Sequence, residues 1–425
     1  MVSRTSFPKS FHALILAQFV SALADYALLL VCIALLVDLG YAAWWVPLIK
    51  AFFTLSYIFL APWVGLIADR WPKPQIMQVA NGIKVTGCCA LLFGLPVPLS
   101  YALIGLGAAL YAPAKYGWIT EVVPAQDLVK ANGWIEVSTV GAAILGVALG
   151  GFMLSPWVME TAWIAWIQEA GRFDTMHAAS LLGMLLLYLC SVLLTHCVNH
   201  SEVDYPHQPL KVSACLRLFF DDQAMLWRDR QARISLSVTT LFWGLGGVIQ
   251  LLVLQWAQQK LKVAVDQAAY LQASTGLGVI FGAWLAGRYI PLHQATRVLA
   301  VGVLLGMALP ALNWIDSHQV AVFAMLTVGI LGGLFVVPMN ALLQHRGVQL
   351  LTAGRSIAVQ NFNENSSVFI QVGIYSLLIY CQLELENILL LFGAVTALLM
   401  LSVVILYNWQ LSSSTKGDRL RRADR

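Results

Sequence analysis

Apolar runs of about twenty residues recur along the whole chain, separated by short polar connections. At a rise of about 1.5 Å per residue, each run covers the hydrocarbon core of a bilayer. Lipid supplies no hydrogen bonds, so a spanning segment must pair its own backbone groups, which selects helices for runs of this length. We count twelve runs. Six are centred near Asp25, Tyr57, Val85, Ala109, Ala143 and Leu187, and six near Gly246, Val279, Leu304, Gly332, Val368 and Ala397. Charged residues make up 11% of the 425, against roughly 25% in soluble chains. The longest hydrophilic stretch, about Asn199 to Arg233, is too short for a soluble domain. The first run, about Phe11 to Val37, is too long for a signal h-region, so no cleavable signal is expected. A further apolar segment, Ala162–Gln168, is short and flanked by charge, and reads as interfacial.

Basic residues set the orientation. With both termini in the cytoplasm, most of the 25 Lys and Arg fall in cytoplasmic connections or tails, including Arg70, Lys73, Lys115, Lys130, Arg217, Arg228, Arg346 and Arg355. The net charge of +4 follows from these loops and is no sign of nucleic-acid binding. The seven cysteines show neither metal nor disulfide spacing and read as small buried apolar groups. His196, His200 and His207 read as solvated, and no metal or other cofactor is implied.

The polar stretch divides the runs six and six, giving halves 1–198 and 233–425 with a linker at 199–232. A weak repeat supports this division. Pro113-Ala-Lys115 closes the fourth run and Pro338-Met-Asn340 the tenth, and each is followed by an unusually polar span start. The expected fold is an all-α membrane protein of twelve transmembrane helices, a major facilitator fold of two six-helix halves.

Four features carry the chemistry. Asp25 lies near the centre of the first run, where a charge costs on the order of 2.5–3.5 kcal/mol, so it faces either a cavity or a buried partner. Glu136 and Glu364 lie about one and a half to two turns into spans five and eleven, near Lys84, Lys115 and Lys130. Their ion pairs would be either static or a gate. Gln360, Asn361, Asn363, Glu364, Asn365, Ser366 and Ser367 form one polar cluster that covers every face of its helix. Trp243-Gly244-Leu-Gly246-Gly247 would let span seven bend beside the site or pack closely. No phosphate-binding loop, nucleophile elbow or metal spacing occurs, which disfavours an ATP-driven pump and an enzyme.

After the second run the chain reads Gly65-Leu-Ile-Ala-Asp69-Arg70-Trp-Pro-Lys73. This resembles the major facilitator signature G-x-x-x-D-R-x-G-x-K, with Pro72 in place of Gly. Gly65 permits close helix approach, Asp69 suits a neighbouring helix N-terminus, and Arg70 and Lys73 anchor the cytoplasmic edge.

More specific blocks are Ala-Gln-Phe-Val-Ser-Ala-Leu-Ala-Asp25, Tyr111-Ala-Pro-Ala-Lys115-Tyr-Gly, Val129-Lys-Ala-Asn-Gly-Trp-Ile-Glu136 and Val359-Gln-Asn361-Phe-Asn-Glu364-Asn365. These resemble the bacterial lysophospholipid transporters along essentially all twelve spans. The resemblance implies an inner-membrane flippase, and a monomer is expected. Its substrate would be chiefly lyso-phosphatidylethanolamine, with lyso-phosphatidylglycerol and lyso-cardiolipin beside it. Lipid would return to the cytoplasmic leaflet for reacylation by an acyltransferase–acyl-carrier-protein synthetase. Asp25, Lys84, Lys115, Glu136, Trp243, Asn340, Gln360, Asn361 and Glu364 are then the substrate-binding or gating candidates. Two positions depart from the family: Tyr26 stands where Asn is expected, and Gln250 where Arg is expected. The alternative reading is a proton-coupled efflux carrier for amphipathic drugs with Asp25 as its proton site. A membrane acyltransferase is weaker, because no catalytic His-Asp spacing occurs in a loop.

Overall fold

The computed structural model describes residues 7–42, 45–155, 158, 177–206, 210–263 and 265–423. The segment 162–168 and His207 lie outside them. Thirteen α-helices account for nearly all of the described residues, and no strand occurs among them. The first half of the chain gives α1 (Lys9–Asp38), α2 (Trp45–Arg70), α3 (Lys73–Leu92), α4 (Val97–Val122), α5 (Leu128–Met153) and α6 (Ala178–Thr195). A shorter helix, α7 (Val212–Arg228), occupies the polar stretch. Then follow α8 (Arg230–Lys260), α9 (Val265–Tyr289), α10 (Leu299–Ala311), α11 (His318–Leu350), α12 (Ala353–Tyr380) and α13 (Leu385–Ala423). Every one of the twelve expected centres lies in a helix of its own.

Among the described residues, nine segments are long and apolar enough to cross a membrane on composition alone. The helices at the three other centres are α3, α9 and α12, of 20, 25 and 28 residues. Of these, α3 carries Asn81 and Lys84 and α12 the run from Gln360 to Ser367, which lower their hydropathy. Ten of the thirteen residues of α10 are apolar, but it is too short alone. The turns around it extend the span to Leu292–Trp314.

Two expectations are corrected. Pro113 and Pro338 do not close their helices but lie inside α4 and α11, which run on to Val122 and Leu350. In a lipid-embedded bundle, neighbouring groups tolerate the lost hydrogen bond. The cysteines are not all buried: Cys190, Cys197 and Cys381 are exposed.

The bundle has two ends. At one, which we call the linker end, α2 and α4 finish, α3, α5 and α12 begin, and α7 packs. A single apolar cluster there joins both parts of the chain, from Phe11, Ala114 and Trp118 to Ala283, Val336 and Ala358. At the far end the clusters are separate. One is built from α1 to α6, around Leu28, Tyr101 and Tyr188. The other is built from α8 to α13, around Trp256, Leu309 and Phe392.

Candidate substrate site

Asp69 shows how a local motif builds a long-range contact. It accepts a hydrogen bond from the Gly354 backbone N–H at 2.8 Å and another from the Thr352 hydroxyl. Thr352 is the N-cap of α12 but its own side chain does not cap the helix. Asp69 supplies the missing acceptor from α2, where the positive end of the helix dipole favours an anion. The two backbones approach closely: a Cβ on Gly354 would lie 2.6 Å from the Gly65 carbonyl oxygen. Lys73 pairs with Glu121 at 2.9 Å and lies 3.7 Å from Asp69. Arg70 stacks over Trp71. Asn132 of α5 and Gln344 of α11 add a reciprocal amide pair, at 2.8 and 2.9 Å, across the same end.

The interior polar groups lie above this closure. Gln18, Ser21 and Asp25 share one face of α1 by their spacing of three and four residues. Asp25 has both oxygens engaged. Lys84 of α3 donates to Oδ2 at 2.6 Å, and the Tyr188 hydroxyl of α6 donates to Oδ1 at 2.8 Å. Lys84 also donates to Ser21, which donates to Asn81, which donates to Ser191. Asp25 thus belongs to a chain of hydrogen bonds fastening α1, α3 and α6. The sequence did not single out Ser21, Asn81, Tyr188 or Ser191. The signal was present in the i, i+4 step from Ser21 to Asp25 and the i, i+3 step from Asn81 to Lys84.

Lys115 of α4 is engaged differently. It donates to Gln18 at 2.8 Å and lies 4.3 Å from the Tyr116 ring centre. Both partners are neutral. Glu136 is buried and makes neither a hydrogen bond nor an ion pair among the described residues. Glu364 accepts from the Gln360 amide at 2.7 Å and from the Thr239 hydroxyl of α8, and the Gln360 amide also reaches Asn340 at 3.0 Å. The expected ion pairs of Glu136 and Glu364 are therefore absent among the described residues. Glu364 also lies deeper than expected, about three turns into α12, because that helix begins at Ala353. Lys115, Glu136 and Glu364 are near enough for their charges to act on one another. Around them, Gln360 Oε1 and Asn361 Nδ2 are buried without a hydrogen-bond partner. Such orphaned groups call for water or a ligand. Trp243 is half-buried and stands edge-on to Phe242. Gln250 meets Lys50 at 3.5 Å near the far end.

The sequence model described as Major Facilitator Superfamily matches residues 14–371. The chain belongs to that superfamily. Within it, the chain stands in the family of its curated relatives. It is 37% identical over 374 residues to the "Lysophospholipid transporter LplT" of Yersinia pestis (strain Pestoides F), covering 87% of each chain. Identity and coverage are the same for the protein of that name from Yersinia pseudotuberculosis serotype O:3 (strain YPIII). Solved structures share the fold at lower identity. The human organic anion transporter MFSD10 superposes with a TM-score of 0.73 at 15% identity, over 94% of this chain and all of that one. The transporter FucP in its outward conformation gives 0.69 at 15% identity, over 94% and 98%. Membership makes the chain a multi-pass transporter of this superfamily and not an enzyme.

Proposed function

We propose that the chain moves lysophospholipid across a bacterial inner membrane, with both termini in the cytoplasm. The halves 1–198 and 233–425, joined by the linker 199–232, would alternate the exposure of the interior cluster. The observation that carries this reading is the uncommitted charge in that cluster. Asp25 and Lys84 already satisfy each other, whereas Lys115 has only neutral partners, Glu136 has none, and Glu364 has only the neutral Gln360 amide and Thr239 hydroxyl. A zwitterionic headgroup complements such a set. Lys115 suits the phosphate, and Glu136 or Glu364 suits the ammonium of ethanolamine. Gln360, Asn361 and Asn340 supply the remaining donors and acceptors, and the acyl chain needs only the apolar surface of the bundle. We assign lyso-phosphatidylethanolamine as the chief substrate, lyso-phosphatidylglycerol as the second, and the cytoplasmic leaflet as the destination, where an acyltransferase–acyl-carrier-protein synthetase consumes the product. The curated relatives' name supports the lipid class.

The test is uptake of labelled lyso-phosphatidylethanolamine by spheroplasts lacking their own transporter. We expect uptake above the empty vector, and a loss of tenfold or more with Lys115→Gln or Glu136→Gln, a decade being about 1.4 kcal/mol. Protein present in the membrane with no uptake would overturn the reading.

A further inference from the structure

Helix α7 has three flanks rather than the two of an ordinary amphipathic helix. One flank, with Cys215, Phe219, Asp222 and Leu226, is buried against the bundle. The flank beside it carries Val212, Leu216, Phe220 and Trp227, which are 61%, 37%, 63% and 37% exposed. At about 100° per residue these four fall within a wedge of roughly 80°, whose bundle-side edge also holds Gln223. The third flank carries Arg217, Asp221 and Arg228.

The depth of α7 says what the apolar wedge meets. Phe219 packs in one cluster with Ala61 of α2 and Val359 of α12, and its ring stands edge-on to Phe362 at 5.2 Å. Asn363 of α12 donates to Gln223 of α7 at 2.9 Å. Ala61 precedes the end of α2 by nine residues, and Asn363 lies ten residues into α12, each about 15 Å along its axis. The helix therefore lies along the flank of the bundle, not beyond its end. At that depth the exposed wedge stands beside the spanning helices α2 and α12. Charge adds a second constraint. Asp222 and Asp229 are taken by Arg355 and Arg346. Lys211, Arg217, Arg228, Arg230 and Arg233 make no ion pair among the described residues, against the single unpaired acid Asp221 on α7, so the net uncommitted charge around the helix is positive.

We propose that α7 is a lipid-docking helix. Its Val212, Leu216, Phe220 and Trp227 flank lies in the boundary between headgroups and acyl chains, and Arg217 and Arg228 hold anionic lipid phosphates. This is the arrangement of an interfacial helix, for which apolar burial and attraction to anionic lipid act together. Its consequence reaches the bundle. Asp222 on the buried flank holds Arg355, the neighbour of the Gly354 whose N–H caps on Asp69. Lipid bound to α7 thus bears on the α2–α12 contact that closes the linker end.

The test uses the full chain in nanodiscs, with its seven cysteines replaced by alanine. Spin labels are placed at Leu216→Cys and Phe220→Cys, with Ser213→Cys and Asp221→Cys as references. All four positions are exposed, so the labels displace no core. In discs of mixed phosphatidylglycerol and phosphatidylcholine we expect oxygen to relax the labels at 216 and 220 more than a water-soluble nickel reagent does. Their depth should be about 5–10 Å below the phosphates. The order should reverse at 213 and 221. Omitting phosphatidylglycerol, or combining Arg217→Gln with Arg228→Gln, should move 216 and 220 toward water. Labels at 216 and 220 as wet as that at 221 would overturn the docking. Unchanged depth without phosphatidylglycerol would overturn the anionic part. Neither readout depends on lysophospholipid transport.

Discussion

At the scale of single residues, the decisive fact is how the charges pair. A carboxylate in an apolar run invites a role in substrate binding, yet both oxygens of Asp25 are engaged within the first half of the chain. Lys84 is 2% exposed and Asp25 18%. Removing one partner of a buried pair leaves the other charge uncompensated, at about 3–5 kcal/mol, whereas removing both together costs far less. Asp25→Asn should therefore lower the thermal stability of the purified protein, as well as any transport rate. Asp25→Asn combined with Lys84→Met should be the more stable of the two in detergent. Thermal unfolding followed by tryptophan fluorescence decides it. If Asp25→Asn melts with the native protein, the brace between α1, α3 and α6 is not what holds Asp25 in place.

At the scale of elements, close approach of backbones governs. Gly278 and Gly282 of α9 face Gly329 and Gly333 of α11, and added Cβ atoms would lie within 2.0–2.4 Å of the facing carbonyl oxygens. Helices in lipid gain little from hydrophobic contrast, so small residues at a spacing of four allow dispersion contact instead. The α2–α12 contact obeys the same rule with fewer glycines, so Gly354→Val should prise that end apart. In the variant, a cysteine at Thr352 should react several-fold faster with a membrane-impermeant maleimide than in the parent. Equal rates would mean that the end closes without this contact. Here the sequence was legible on one side only. Gly65, Asp69 and Lys73 stood out because their spacing is local, but their partners Thr352 and Gly354 lie some 280 residues away and carry no local mark. Two polar spans were found for the converse reason. Their centres are apolar even though α3 and α12 fail a strict hydropathy threshold once Lys84 and the run from Gln360 to Ser367 are counted. Pro113 and Pro338 misled because proline ends helices in water more readily than in a packed bundle.

At the scale of the whole molecule, the distribution of cores defines a state. One apolar cluster joins the two parts of the chain at the linker end, and two separate clusters serve them at the far end. Hydrogen bonds follow the same division. Asp69 to Gly354 and Asn132 to Gln344 tie the linker end, while the far end has the 3.5 Å contact of exposed Lys50 with Gln250. A molecule so tied is closed at the linker end and free to part at the other. Transport by alternating access requires the reverse state too, so the linker-end contacts must break in every cycle. Asn132 and Gln344 are suited to a test, because their paired amides touch and neither belongs to the charged cluster. With the native cysteines replaced, Asn132→Cys and Gln344→Cys joined by a short cleavable thiol cross-linker should reduce lysophospholipid uptake to the empty-vector level. Cleaving the linker should restore it. The cross-linked protein should still bind substrate from the far end, since the cluster of Lys115, Glu136 and Glu364 lies on that side of the tether. Uptake that survives complete cross-linking would mean that lipid passes without opening the linker end, and alternating access would have to give way to movement along the flank of the bundle.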